Sequence, residues 1–145
     1  MKTENFTIRD YKPENYSDVM HLWQKTGLNT PGRGDDEHII EKTILVGGKL
    51  LLLFNGKTNK IIGSSWLTSD GRRLYLHHFA IIHEFRGRGL SKLLLSKSLD
   101  YAKEIGQQIK LEVHQKNIVA KNLYKKAGFK YLGDYEVHII RDINS

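Results

Sequence analysis

The stretch HEFRGRGLSKLLL, His83 to Leu95, decides how the rest of the chain is read. It sets Arg86, Gly87, Arg88 and Gly89 in a row after an apolar run and then turns leucine-rich. The run before it, RRLYLHHFAII (72–82), reads as a strand. After it, Leu90, Leu93, Leu94, Tyr101, Ala102 and Ile105 share one helical face, and Gly106 ends that helix. A strand, a glycine turn and a helix N-terminus therefore follow one another. Such a corner offers backbone N–H groups that no helical carbonyl can use. Glycine lets a ligand approach the backbone, and the helix dipole adds positive potential. The turn is suited to an anion such as phosphate. A plain connection carrying exposed arginines accounts for the same residues, and the stretch alone leaves both readings open. Two phosphate motifs are excluded. Lys92 occupies the third glycine position of a dinucleotide fingerprint, and no G-x-x-x-x-G-K-[ST] loop occurs.

Working outward, Phe6–Arg9 reads as a first strand. Pro13 and Ser17-Asp18 signal the start of a helix that Gly27 stops. Asn29–Asp36 is a loop, Glu37–Leu45 a second helix, and 49–55 (KLLLLFN) a strand. Residues 60–68 form the next strand, and Asp70-Gly71 is a hairpin-type turn. Beyond the glycine turn and its helix come a strand at 108–114 (QIKLEVH) and a short helix at 118–127 that Asn117 can cap. Residues 129–143 are expected to close with one or two strands. The order is β-α-α-β-β-β-α-β-α-β-β. It predicts one domain over residues 1–145, a mixed and mostly antiparallel sheet flanked by helices.

Composition narrows the function. The chain has 145 residues, 39% apolar and 27% charged, as globular domains have. It lacks cysteine, which excludes disulfides, thiolate metal sites and a thiol-bound intermediate. Its seven histidines show no metal-ligand spacing, so no metal is expected. The net charge of +7 favours an anionic partner. No basic run is long enough for a nucleic-acid arm, and no aromatic-interleaved stripe appears, so nucleic acid is not the expected partner. The longest aliphatic run, Leu50–Phe54, cannot span a bilayer, and residues 1–10 lack the apolar stretch of a signal peptide. The expectation is a cytoplasmic protein without a membrane partner.

The spacing Arg86-x-x-Gly89-x-Ser91 after an apolar strand resembles the acetyl-CoA signature of the GNAT N-acetyltransferases, Gln/Arg-x-x-Gly-x-Gly/Ala. Ser91 departs from it where Gly or Ala is usual. A second block, Asn117-x-x-Ala120-x-x-Leu123-Tyr124-x-Lys126-x-Gly128-Phe129, is similar to the family's second cofactor block. The element order matches the family fold nearly throughout, and small single-domain bacterial members are the nearest in kind. The resemblance implies an acetyl-CoA-dependent N-acetyltransferase. It implies that the CoA diphosphate rests on the backbone of Arg86, Gly87, Arg88, Gly89, Leu90 and Ser91. It further implies that the pantetheine lies along Phe79, Ala80 and Ile81, where the sheet splays from the 108–114 strand. A backbone N–H near Phe79 would then face the thioester carbonyl. Asn117 would touch the pantetheine arm, and Lys126, Arg88 and Lys92 are candidates for CoA phosphates. Tyr124 matches the family's usual general acid.

For the general base, His77 and His78 are the candidates, and His77 is preferred. Strand alternation places Tyr75, His77, Phe79 and Ile81 on one face and His78 with Ala80 on the other. The acceptor is expected to be a small-molecule amine or a peptide or protein amine, shaped by Trp23–Glu37 and by the C-terminal strands. Asp35, Asp36 and Glu37 could attract a cationic amine or serve as helix N-terminal charges. Homodimerisation is common among relatives, but the sequence specifies no interface. A non-catalytic acyl-CoA binding or sensing module on the same fold is the rival reading.

Overall fold

A computed structural model of the chain describes residues 5–29 and 34–144. The middle of the predicted 29–36 loop, including Pro31, lies outside the described residues. Strand β1 (Phe6–Asp10) leads through a 3-10 turn at Pro13–Asn15 into α1 (Tyr16–Lys25). Then follow α2 (Glu37–Leu45), β2 (Lys49–Asn55), β3 (Lys60–Ser69) and β4 (Arg73–Ile81). After a second 3-10 turn come α3 (Leu90–Ile105), β5 (Gln108–Leu111) and α4 (Ile118–Lys126). The sheet runs β1-β2-β3-β4-β5 in sequence order. The first four strands pair antiparallel, and β5 joins β4 in parallel. The predicted mixed, mostly antiparallel α/β class is the one observed.

Two apolar faces explain the layering. Leu50, Leu52 and Phe54 of β2 alternate toward α1 and α2, where Val19, Leu22, Trp23 and Ile40 are buried with Trp66. On the opposite face, Leu67, Leu74 and Leu76 bury Leu95 and Ala102 of α3. Leu53, Ile62 and Ile81 bury Leu90 at the start of that helix. Each such large aliphatic side chain removed from water contributes about 1.5–3 kcal/mol before entropy is charged. Together these contacts clamp the glycine turn against the end of β4.

Two expectations are corrected. The first concerns β4. Ser64 pairs with Ala80 and Trp66 with His77, so His78 and Phe79 together oppose Ser65 alone. This is a β-bulge, and His78 takes a positive φ of 44°. One extra residue reverses the alternation beyond it. Tyr75, His77 and His78 therefore share the α1/α2 side, while Phe79 and Ile81 pack with the α3-side clusters. The second concerns the chain's end. The described residues after α4 form no strand, and every residue from Lys130 to Asn144 is exposed. A strand exists only with a neighbouring strand for its backbone, and among the described residues no strand pairs with this segment.

Candidate active site

The glycine turn forms as its sequence suggests. Ile82 N–H donates to the Ile62 carbonyl at 2.9 Å, which ends the ladder beside β3. His83–Phe85 makes the 3-10 turn, and Arg86 Nε donates back to the Ile81 carbonyl at 2.8 Å. Gly87 and Gly89 hold φ of 76° and 77°. A Cβ at either would meet nothing within 4 Å, so conformation and not crowding demands glycine there. Gly89 caps α3 without any side-chain bond, and no acid lies in the first turn. The N-terminal N–H groups of a 16-residue helix thus have no capping side chain, and no acid in the first turn offsets their positive potential. Arg88 lies 4.8 Å over the Phe85 ring and adds its charge nearby. Leu90 is buried and anchors the turn, whereas Ser91 is half-buried.

The second element is an open strand edge. Pairing of β4 with β5 stops at Leu76 and Leu111, while β4 stays paired with β3 through Ile81. From His77 to Ile81 one edge of β4 has no strand beside it among the described residues, and the sheet opens into a wedge. Phe79 and Ala80 are half-buried along that edge. An extended amide-bearing chain can add to such an edge through its own hydrogen bonds.

α4 closes the wedge from the β5 side. Asn117 Oδ1 accepts from the Ala120 N–H at 3.2 Å, so its capping role is present. Two helical turns later, Tyr124 meets Phe79 edge-on at 6.0 Å and Phe129 at 5.7 Å. Burial pushes its phenol up to about 12, so it remains protonated at neutral pH. Lys126 is exposed in the last turn of α4. The structure thus joins the glycine turn, the Phe79–Ile81 edge and Tyr124 around one wedge.

The histidines lie on the other face. Burial, with His78 as a lesser cause, holds the His77 imidazole down at about 4, so it is neutral at pH 7. Its Nε2 shares a 2.8 Å hydrogen bond with Thr68 Oγ1, and its ring stacks on Tyr75 at 4.2 Å. Tyr75 is itself pushed up by burial and by the Glu112 carboxylate.

Sequence reasoning missed the network that holds the bulge. Trp23 Nε1 donates to Ser64 Oγ at 2.9 Å, and Ser64 Oγ donates to the His78 carbonyl at 2.7 Å. Trp23 and Trp66 stack at 5.4 Å, and the His78 ring meets them edge-on at 4.5 and 5.3 Å. His78 Nε2 lies 3.0 Å from Asp35 Oδ2. The adjacent acids part company here, because Asp36 caps α2 by accepting from the Ile39 N–H at 3.0 Å. The paired histidines were the visible signal. Their joint orientation required the bulge.

A donor-rich helix end thus lies beside an open strand edge, with a protonated phenol across the wedge. The family model described as "Acetyltransferase (GNAT) family" matches residues 16–129. The chain belongs to that family, whose general chemistry is acetyl-CoA-dependent acetyl transfer. Among solved structures, it is similar to a GNAT-family acetyltransferase from Staphylococcus aureus, at 24% identity and a TM-score of 0.75, over 90% of this chain and 88% of that one. It is also similar to a predicted acetyltransferase from Clostridium acetobutylicum solved with acetyl-CoA, at 15% identity and a TM-score of 0.76, over 92% and 96%. A third is glucosamine-6-phosphate N-acetyltransferase from Arabidopsis thaliana, at 18% identity and a TM-score of 0.71, over 97% and 99%. Among the described residues no group of acids and histidines is placed to hold a metal ion, and no helix is long and apolar enough to cross a membrane.

Proposed function

We propose that the chain transfers an acetyl group from acetyl-CoA to a primary amine by direct attack in a ternary complex. The carrying observation is the juxtaposition of Tyr124 with Phe79 at the edge of β4 that β5 leaves free, beside the glycine-capped N-terminus of α3. In this reading the backbone of Arg86–Ser91 cradles the diphosphate, while Phe79, Ala80 and Ile81 align the pantetheine. Arg88 and Lys126 add charge for phosphates, and Asn117 touches the pantetheine arm. Acetyl-CoA supplies the activated thioester. The amine nitrogen bonds to the carbonyl carbon as the carbon–sulfur bond breaks. Tyr124 gives its phenolic proton to the departing sulfur, and a backbone N–H near Phe79 stabilises the developing oxyanion. His77 takes the proton that the amine loses, directly or through water. With no cysteine in the chain, a thiol cannot carry the acetyl group, which supports direct transfer.

The α1/α2 side suits a cationic acceptor. A shallow, open depression is lined there by Tyr16, Asp36, Glu37, His38 and Glu41. Burial first, then Glu37 and Glu41, push the Tyr11 phenol up to about 12. The Arabidopsis protein is named for an amino-sugar phosphate, and a small amine acceptor is proposed for this chain on the same fold. His78 beside Asp35 is the second proton acceptor to test, because a carboxylate 3.0 Å away can share the charge of an imidazolium.

The test is acetyl-CoA turnover across a panel of small amines, amino sugars and peptides, with mass detection of the acetylated product. Turnover that falls in His77→Gln but not in His78→Gln assigns the base to His77, and the reverse pattern assigns it to His78. Binding of acetyl-CoA with no product from any amine would favour the sensing module.

A further inference from the structure

A half-open hollow of about 250 Å³ lies at the β3–β4 hairpin, lined by Thr68, Asp70, Arg72, Arg73, Tyr75 and Lys110. Sites for whole small molecules run to roughly 300–1,000 Å³, so this one suits a single group of a larger ligand. It adjoins the candidate base directly. Thr68 Oγ1 shares the 2.8 Å hydrogen bond with His77 Nε2, and the Tyr75 ring stacks on the imidazole at 4.2 Å.

Register explains its charge. β4 and β5 run parallel with Arg73 beside Gln108 and Tyr75 beside Lys110, so these side chains share the face of His77. Arg73 Nε donates to Gln108 Oε1 at 3.1 Å, which fixes the guanidinium at the hollow's edge. Lys110 Nζ lies 5.2 Å over the Tyr75 ring. Neither cation has an ion-pair partner among the described residues. Asp70 is committed elsewhere. Its Oδ1 accepts from the backbone N–H groups of Arg72 and Arg73 at 2.8 Å each, and its Oδ2 lies 3.7 Å from Arg72 Nη2. Toward His77 the sign reverses, because the Glu112 carboxylate engages the Tyr75 hydroxyl just past the last paired residue, Leu111. Cations thus stand at the hairpin end of this face and a carboxylate at the His77 end.

We propose that this hollow holds an anionic group, a carboxylate or a phosphate, carried by the acceptor whose amine lies beside His77. The proposal rests on the acetyl-transfer reading above and names its substrate class, an amine with an oxyanion at its far end. Register sets the length. Lys110 stands level with Tyr75, two residues from His77, and Arg73 stands four away, which is about 7–13 Å at ~3.3 Å per residue. Arg73 offers a planar guanidinium that matches an oxyanion, and Lys110 adds a point charge. The polarity of the face also selects the orientation, since reversed binding would set the ammonium against Arg73 and Lys110.

The experiment titrates the full chain with 8-aminooctanoate against octylamine, and with glucosamine 6-phosphate against glucosamine. The ring protons of Tyr75 and His77 are followed by NMR. In at least one pair the anionic member should shift both rings and bind roughly 3–10-fold more tightly, as two partly exposed charge pairs allow. The pair that shows the advantage names the oxyanion. Arg73→Gln combined with Lys110→Gln should abolish it, whereas Arg73→Lys combined with Lys110→Arg should retain most of it. No advantage in either pair, or one that survives the Gln double variant, would overturn the proposal. Acetyl transfer to the same amines is scored apart. A charge advantage without any acetylated product would sink the transfer reading and leave this site standing, whereas turnover without charge preference would sink the site alone.

Discussion

Replacing Tyr124 by Phe isolates one oxygen atom. The ring contacts with Phe79 at 6.0 Å and Phe129 at 5.7 Å remain, so the wedge keeps its shape. Among the described residues no hydrogen bond reaches the Tyr124 hydroxyl, so its removal orphans nothing, and the melting temperature should hold or rise slightly. The chemical cost should be much larger. A positioned general acid contributes roughly 10²–10⁴ in rate, or about 2.7–5.4 kcal/mol at 1.36 kcal/mol per tenfold. Because burial holds the phenol at about 12, the wild type should show no loss of activity from this group below pH 10. The assay is steady-state turnover, with acetyl-CoA affinity measured separately by calorimetry. The expected outcome is a kcat lower by at least ~100-fold with affinity within ~3-fold, the signature of an interaction made only in the transition state. Unchanged kcat would remove Tyr124 from the chemistry. Lost affinity with unchanged kcat would make it a binding residue instead.

Gly89→Glu should abolish acetyl-CoA binding, because it puts a negative charge where the diphosphate should rest and forces a side chain into a φ of 77°. Gly106→Ala is the control at the other end of α3, with a φ of 67° and open space. It should cost a similar ~1–2 kcal/mol of stability but leave affinity intact, as calorimetry and denaturant titration would show. Ser64→Ala should destabilise by roughly 1–3 kcal/mol in denaturant titration, since it strips a buried partner from both Trp23 Nε1 and the His78 carbonyl. The His77 imidazole falls from 6.5 to about 4 on folding, so its neutral form is the one the fold favours. Its contribution, at most ~3 kcal/mol, should be fully present above pH 6.5 and lost as pH falls through 4. His77→Gln should flatten the stability profile across that window, and an unchanged slope would refute the assignment. The phenols of Tyr11 and Tyr124, both raised to about 12, should produce the opposite loss as pH rises from 10 to 12.

Local rules carried much of this protein. The α2 and β2 boundaries at Glu37–Leu45 and Lys49–Asn55 follow from period and cap alone. So do the turn glycines at 87 and 89, the Asn117 cap and the order of the elements as far as α4. These features depend on side chains within a few residues of one another, which is the range over which periodicity and capping act. The histidine face could not be read this way. Alternation has a period of two, and one inserted residue inverts it, but that insertion is visible only when β3 supplies the register against which β4 is counted. The same limit hid the separate fates of Asp35 and Asp36, neighbours in sequence that meet His78 and the Ile39 N–H. It also governed the C-terminal segment, read as one or two strands where the described residues form none. A strand's pattern belongs to its own residues, whereas its hydrogen bonds belong to whichever edge is within reach, and tertiary structure decides that reach.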